Sequence, residues 1–299
     1  MPATNNPLAP VSKDVWSNLL SDGTRANIRV RDLLVLKGNN RLRLVTDDAS
    51  VFVKTVSAAH FAQVESEAEA LALLSQCRAF HVPEVIALSK EEHFCWLAIE
   101  WIDLSPVDPA SGKDFGFSLA ELHRNTHPQY GWHRQNWLGG TPQHNTAHDD
   151  WHDFWWQRRL RPLLELMADK DSELDRLATR LSLATPIILR DHQPAASVLH
   201  GDLWSGNAAI DVLGTPVLYD PAAYFGDRET DIAMMKLFGG FPDITFEAYQ
   251  QAWPMDEGFE HRIGLYQLYH LLNHAYLFGG SYLAQSKQLM RSILEIAGL

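Results

Sequence analysis

Val198-Leu199-His200-Gly201-Asp202-Leu203-Trp204-Ser205-Gly206-Asn207, followed further on by Val217-Leu218-Tyr219-Asp220-Pro221, is the stretch that decides the reading. It carries an aspartate, an asparagine five positions later, and a second aspartate closing a short apolar strand. Phosphoryl transfer needs these residue types at this spacing. One carboxylate has to meet an acceptor hydroxyl, while an amide oxygen and a second carboxylate hold Mg²⁺ against the phosphates of ATP. The gap lets Asp202 and Asn207 occupy opposite ends of one tight loop and face the same cleft. Singly, each has a local explanation: Asp202 as an acceptor for loop amides, Asn207 as a loop cap, Asp220 as the turn-former before Pro221. Jointly they read as a catalytic carboxylate, Asp202, with Asn207 and Asp220 as metal ligands. Asp202 would orient the acceptor hydroxyl and take its proton late.

The neighbours of this motif divide into support and contact. His200 reads as structural, holding the loop through imidazole hydrogen bonds. In Gly226-Asp227-Arg228-Glu229-Thr230-Asp231-Ile232-Ala233-Met234 an apolar helix opens. Asp227 is expected to cap it, and Asp231 to bond the catalytic-loop backbone from a buried position. Trp204 and Tyr224 are aromatics flanking the expected cleft, with Arg228 as a nearby cation. Trp204 is placed to stack on a sugar ring, core packing being the other reading.

Toward the N-terminus, Leu33 to Val56 reads as strands, with Asp47, Asp48 and Ser50 turning a hairpin between Leu42-Arg43-Leu44 and Val51-Phe52-Val53. Lys54 ends that strand, where a lysine reaches the α- and β-phosphates. Phe61 to Leu74 has helical spacing of apolar residues. Of its acidic residues only Glu67 lies on the apolar edge, three after Val64 and four before Leu71, whereas Glu65 and Glu69 point more nearly to solvent. A core-facing carboxylate needs a cation, and Lys54 is the available one. Pro83 to Ile86 and Cys95 to Ile99 look like short strands. Glu100-Trp101-Ile102-Asp103 then leads into a loop rich in Pro, Asp and Gly, a composition shift that marks a lobe boundary near 100–104. Beyond it, Phe117 to His123, Trp151 to Lys170, Ser172 to Leu183 and Ile263 to Phe278 read as helices, the last stopped by Gly279-Gly280. The expectation is an α+β, bilobal, protein-kinase-like fold. A small antiparallel-sheet lobe with one key helix (1–100) would bind nucleotide, and a larger, mostly helical lobe (101–299) would carry catalysis and substrate.

Bulk properties agree with that layout. A chain of 299 residues is long for one compact core. Hydrophobic and charged fractions of 46% and 21% are those of an ordinary globular protein. The net charge of −12 disfavours nucleic-acid and anionic-membrane partners, both of which need a basic face. Cys77 and Cys95 form no metal or disulfide framework, which points to a reduced cytoplasm. Met1 to Pro10 lacks the basic and apolar regions of a signal peptide, and no apolar run is long enough to span a membrane. His144, His148 and His152 fall four apart, but no cysteine or carboxylate completes a metal set.

The chain resembles the fructosamine kinase family, also called ketosamine 3-kinases, within the aminoglycoside-phosphotransferase-like branch of kinase folds. The residues that carry the likeness are His200-Gly201-Asp202-Leu203-Trp204-Ser205-Gly206-Asn207, Asp220-Pro221-Ala222 and the segment from Tyr224 to Met234. Phe52-Val53-Lys54, Asn136-Trp137-Leu138-Gly139, Leu271-Leu272-Asn273-His274 and Leu277-Phe278-Gly279-Gly280 support them. The resemblance implies ATP-dependent phosphorylation of the 3-hydroxyl of a ketosamine, the adduct of a sugar on an amine. The 3-phosphate then eliminates and frees the amine. By position it implies Asp202 as base, Asn207 and Asp220 on Mg²⁺, and Lys54 with Glu67 as the phosphate-anchoring pair. It also implies Trp204 near the sugar, and Glu100, Trp101 and Ile102 as a hinge holding adenine through backbone groups. Family members usually carry a glycine-containing turn between the first two strands. Here Leu33 to Arg41 holds a single glycine, and Gly38, Asn39 and Asn40 are the residues suited to a rearranged phosphate-covering turn. Two rivals are a kinase of another sugar or amino alcohol, and a pseudokinase that kept the fold without turnover.

Overall fold

A computed structural model describes residue 10 and residues 12–36, 40–168 and 171–299. The predicted phosphate-turn residues Gly38 and Asn39 lie outside the described residues. Helix α1 (Lys13–Thr24) precedes strands β1 (Val30–Val35), β2 (Arg41–Thr46) and β3 (Ser50–Ser57), helix α2 (Phe61–Gln76), and strands β4 (Val85–Lys90) and β5 (Phe94–Glu100). The strands form one antiparallel sheet in the order β1-β2-β3-β5-β4. Alternation along them assigns each face. Val51, Val53, Trp96 and Ala98 bury toward α1, where Trp16 and Leu20 complete a core. The Trp16 and Trp96 rings meet edge to face with centroids 5.7 Å apart. Cys95, Leu97 and Ile99 face the other way, into the core shared with Val64, Leu71 and Leu74 of α2. Lys54 is out of phase with Val53, so the pleat turns it toward α2. The sequence reading missed α1.

After β5 the chain runs to helix α3 (Gly112–His123), short strands β6 (Thr126–His127), β7 (Asn136–Leu138) and β8 (Thr141–Gln143), and helix α4 (Trp151–Trp155). A π turn (Trp156–Leu160) joins α4 to α5 (Arg161–Met167), and α6 (Ser172–Ile188) follows. Strands β9 (Ala196–Leu199), β10 (Ala208–Ile210), β11 (Pro216–Leu218) and β12 (Tyr224–Gly226) carry the catalytic segment. Helices α7 (Glu229–Phe238), α8 (Asp243–Ala252), α9 (Phe259–Phe278) and α10 (Ser281–Ile296) close the fold. This is the expected α+β, bilobal, protein-kinase-like layout.

The helix boundaries differ from expectation for physical reasons. Helix α3 begins at Gly112, not Phe117, because its glycines serve packing: a Cβ on Gly116 would lie 2.2 Å from the Thr245 carbonyl oxygen of α8. Low intrinsic helicity there is outweighed by close helix–helix approach. Helix α6 continues through Pro186 to Ile188, past the expected stop at Leu183. Buried Leu181, Ala184 and Thr185 tie its last turns to the core. Helices α8 and α10 were also not anticipated.

Candidate active site

The catalytic loop is built by strand pairing. Ala208 pairs with Leu218 across the β10–β11 hairpin, and Tyr219 N–H donates to the Asn207 carbonyl, 3.2 Å. Asn207 and Asp220 therefore emerge side by side at the open end of one hairpin. Asn207 Nδ2 donates to the Asp202 carbonyl (2.9 Å) and to Asp202 Oδ2 (3.0 Å), which closes the loop across its five-residue gap. Its amino group is so engaged, and among the described residues no donor reaches its Oδ1. Gly201 permits the turn at φ 79°, where a Cβ would lie 2.2 Å from the Ala222 carbonyl oxygen. Asp220 occupies the left-handed region at φ 56°, which aspartate tolerates better than most residues.

Lys54 joins these groups. Its Nζ lies 2.7 Å from Glu67 Oε2 and 2.9 Å from Asp220 Oδ1, with Arg41 3.7 Å from the other Asp220 oxygen. Burial alone would discharge Lys54, but Glu67 and Asp220 hold it charged, above the ordinary lysine range. Burial likewise disfavours the charge on Asp220, and Lys54 outweighs it, drawing the carboxyl down to about 2. Asp202 has no such partner. Burial, and next the charge of Asp220, push it up to about 7.

Two adjoining cavities of about 240 Å³ each share Arg41, Lys54, Glu67 and Asp220. One is walled by Phe52, Pro83, Ile99, Leu104 and Val217 and reaches the 100–102 segment. The other opens on Asp202, Asn136 and Trp137. An apolar slot running into a charged chamber suits a flat base with a polyphosphate. Carboxylate and amide oxygens at Asp220 and Asn207 are the hard donors that Mg²⁺ takes, so the residues present fit that ion.

His200 is fully buried. Its Nε2 donates to the Tyr219 carbonyl (3.0 Å) and its Nδ1 accepts from Asp202 N–H (3.2 Å), a neutral ring that splints the loop. Burial lowers its pKa and keeps it so. Asp231 accepts the N–H groups of His200 (2.8 Å) and Gly201 (3.0 Å), and His123 lies 3.3 Å away. Asp227 caps α7 through Glu229 N–H (3.0 Å) and also accepts Tyr266 Oη–H (2.6 Å).

Two expected substrate contacts do not face the cleft. Arg228 is 3% exposed, donates to the Trp253 and Pro254 carbonyls, and stacks over the Trp253 ring at 4.2 Å. The turn into α7 aims it at the loop after α8. Tyr224 is 2% exposed, since its ring packs between Phe154, centroids 5.9 Å apart, and the Arg159 guanidinium at 3.9 Å. Trp204 does reach solvent at 41% exposure, its ring lying over Gly206. In the 100–102 segment, Glu100 N–H already donates to the Glu84 carbonyl and Trp101 N–H to that of Ser50. Among the described residues no backbone acceptor takes the Ile102 N–H.

Sequence reasoning missed a polar scaffold behind Asp220. Asn136 Nδ2 donates to the Ala223 carbonyl, Gln143 Nε2 to Asn136 Oδ1 and the Ala222 carbonyl, and Asn145 Nδ2 to Asn136 Oδ1. Arg159 Nη2 then donates to Asn145 Oδ1. Asn136 stood in a motif, but no local signal paired it with residues 222–223. Also missed was the seating of α2. Arg134 donates to Glu65 (2.7 Å) and Glu69 (2.5 Å), and Gln63 Nε2 to the Gly139 carbonyl (2.7 Å). Glu65 and Glu69 do lie nearer solvent than Glu67, with side chains 39% exposed against 13%, and serve as anchors as well.

A charged cleft between an antiparallel sheet and a helical lobe, lined by Lys54, Asp202 and Asp220 with Asn207 bonded to Asp202 just behind, defines a phosphotransferase of the protein-kinase-like class. Comparison with known proteins narrows it. A sequence model of the fructosamine kinase family matches residues 16–296, and the chain belongs to that family. It is 35% identical over 292 residues to a "probable ketoamine kinase" of Synechocystis, covering 96% of this chain and 99% of that one. A "probable ketoamine kinase" of Vibrio parahaemolyticus is 34% identical over 284 residues, covering 93% and 98%. The solved structure of a candidate fructosamine-3-kinase from Haemophilus somnus superposes with a TM-score of 0.86 at 28% identity, covering 93% and 96%. A choline kinase from Streptococcus pneumoniae, at TM-score 0.63 and 15% identity over 94% and 98%, shares the fold.

Proposed function

We propose that the protein transfers the γ-phosphoryl group of ATP to the 3-hydroxyl of ketosamines, fructosamine- or ribulosamine-type glycation adducts of small amines or proteins. The 3-phosphate then eliminates and releases the amine, so the outcome is deglycation. The observation that carries this reading is the convergence of Asp202, Asp220 and Lys54 on one cleft, with Asn207 bonded to Asp202, in a chain of this family. Adenine would lie in the apolar slot against Ile102, between an N-terminal lobe (1–100) and a C-terminal lobe (101–299) hinged at 100–104.

Lys54, fixed by Glu67, would take the α- and β-phosphates as a point charge. Asp220 and Asn207 Oδ1 would hold Mg²⁺, which supplies neutralisation of charge on the phosphate oxygens. Asp202 would accept the hydrogen bond of the 3-hydroxyl and take its proton late. A carboxyl at about 7 is well matched to proton transfer near neutral pH. Asn207, bonded to Asp202 Oδ2, leaves Oδ1 of that carboxylate to orient the hydroxyl. Trp204 would stack on the sugar. Cys77 and Cys95 are unpaired, and among the described residues no helix is long and apolar enough to cross a membrane. Both agree with action in the cytoplasm.

The test is ATP consumption with fructosyl-, ribulosyl- and erythrulosyl-amines side by side, choline and an aminoglycoside as contrasts, and phosphate position read by NMR. Phosphorylation at O3 of at least one ketosamine is expected. Turnover confined to choline or the aminoglycoside would overturn the assignment.

A further inference from the structure

The π turn presents the consecutive arginines Arg158 and Arg159 to one cavity of about 470 Å³. Thr141, His144 and Tyr269 also line it. The β7–β8 hairpin gives Asn136 and Trp137 to the catalytic cleft and Thr141 to this second space. π turns often mark functional sites, because the extra residue re-aims side chains.

The polar groups here are left without partners. Arg158 is half-buried, and among the described residues its side chain makes no hydrogen bond, ion pair or ring contact, although its carbonyl accepts from Arg159 Nη1 at 3.0 Å; its Nε is buried and unpaired. In a chain of net charge −12 that is unexpected. Arg134 and Arg262, likewise withdrawn from solvent, each hold carboxylates. Arg159 is fully buried with both terminal nitrogens bonded, yet its Nε has no acceptor. Thr141 Oγ1, in a residue 2% exposed, is also unpaired. Buried donors without acceptors are costly, and a cluster of them is a request for an acceptor-rich guest. Among the described residues the one carboxylate on the wall, Glu165, already takes Arg161 at 2.7 Å.

We propose that this cavity binds a small organic oxyanion, a phosphate monoester of sugar size. The charge matches the guanidinium fork of Arg158. The volume exceeds that of a bare phosphate and falls in the range of small-molecule sites. Pro142, Pro162 and the 42%-exposed Leu166 on the wall offer apolar surface to the carbon body. Through Arg159, Asn145 and Asn136 the site reaches the carbonyl of Ala223, so occupancy would stiffen the segment after Asp220.

Glucose 6-phosphate, with glucose as neutral control, is titrated by calorimetry into the wild type and the Arg158→Gln, Thr141→Val and Lys54→Ala variants. Saturable, salt-weakened binding of glucose 6-phosphate alone is expected, equal in Lys54→Ala and weaker by about tenfold or more in Arg158→Gln. Thr141→Val should weaken it less. Binding that vanishes in Lys54→Ala and survives in Arg158→Gln would place the anion in the catalytic cleft and overturn the proposal. Absence of saturation by about 10 mM would do the same. Inorganic phosphate binding equally tightly would overturn the organic part of the assignment.

Discussion

Asp202 is distinguished from the carboxylates around it by what it lacks. Asp220 faces Lys54 and stays ionised, and Asp231 is satisfied by two loop amides, whereas Asp202 keeps one amide partner and an elevated pKa. Two carboxylates in one loop are thereby given different work by environment. Replacing Asp202 by Asn removes the proton acceptor and little volume. Turnover is expected to fall by roughly 10²–10⁴-fold, with ATP affinity by calorimetry changed less than about threefold. A variant that keeps near-normal turnover would remove Asp202 from the chemistry. At this scale the sequence was most legible, because the Asp202–Asn207 spacing is closed within one tight loop and a short hairpin returns Asp220 beside it. It failed at Arg228 and Tyr224, whose neighbours in sequence are catalytic but whose side chains enter the core.

Among the elements, α2 decides whether the site is assembled. It carries Glu67 to Lys54, and its position is set from the helical lobe by Arg134 and by the Gly139 carbonyl. Arg134→Ala should let α2 drift. Each part-exposed ion pair is worth on the order of 1 kcal/mol or less, so ATP affinity should drop by about fivefold. Amide exchange in α2 should rise, and Arg134→Lys should restore part of the loss. Unchanged exchange in α2 would show that the helix is held by apolar packing alone. The periodicity of α2 was readable and gave Glu67 its face. What Glu65 and Glu69 bind was not, since their partner lies far along the chain. Helix α3 shows the converse, its glycines hiding a start that only contact with α8 explains.

For the whole molecule, one buried base couples folding to pH. His270 on α9 is 4% exposed and its Nδ1 is unpaired. Burial lowers its pKa to about 3 from the ordinary 6.5. The unfolded chain therefore takes up a proton below about pH 6.5 that the folded chain refuses. Its contribution to stability is present above that pH and is lost as pH falls toward 3, by about 1.4 kcal/mol per pH unit. Buried carboxyls with raised pKa, such as Asp202, act in the opposite sense over pH 6.5 to 5, so the readout is the difference between slopes. Relative to the wild type, the urea-derived stability of His270→Leu should lose about one proton of acid destabilisation in that window, whatever its absolute value. Equal slopes would mean that His270 is protonated in the fold.

The sequence by itself determined the chemistry and the order of the parts: a sheet with one helix, then a helical lobe around Asp202, Asn207 and Asp220. Those features follow from local geometry, namely alternation, helical spacing and a loop short enough to fix its own ends. Only the tertiary structure decided which polar groups meet, since Lys54 with Asp220, Arg134 with Glu69, and Asn136 with the Ala223 carbonyl join groups far apart along the chain. Burial, which sets both pKa and accessibility, is a property of the packed whole. For that reason Trp204 remained at the surface while Tyr224 and Arg228 were withdrawn from it.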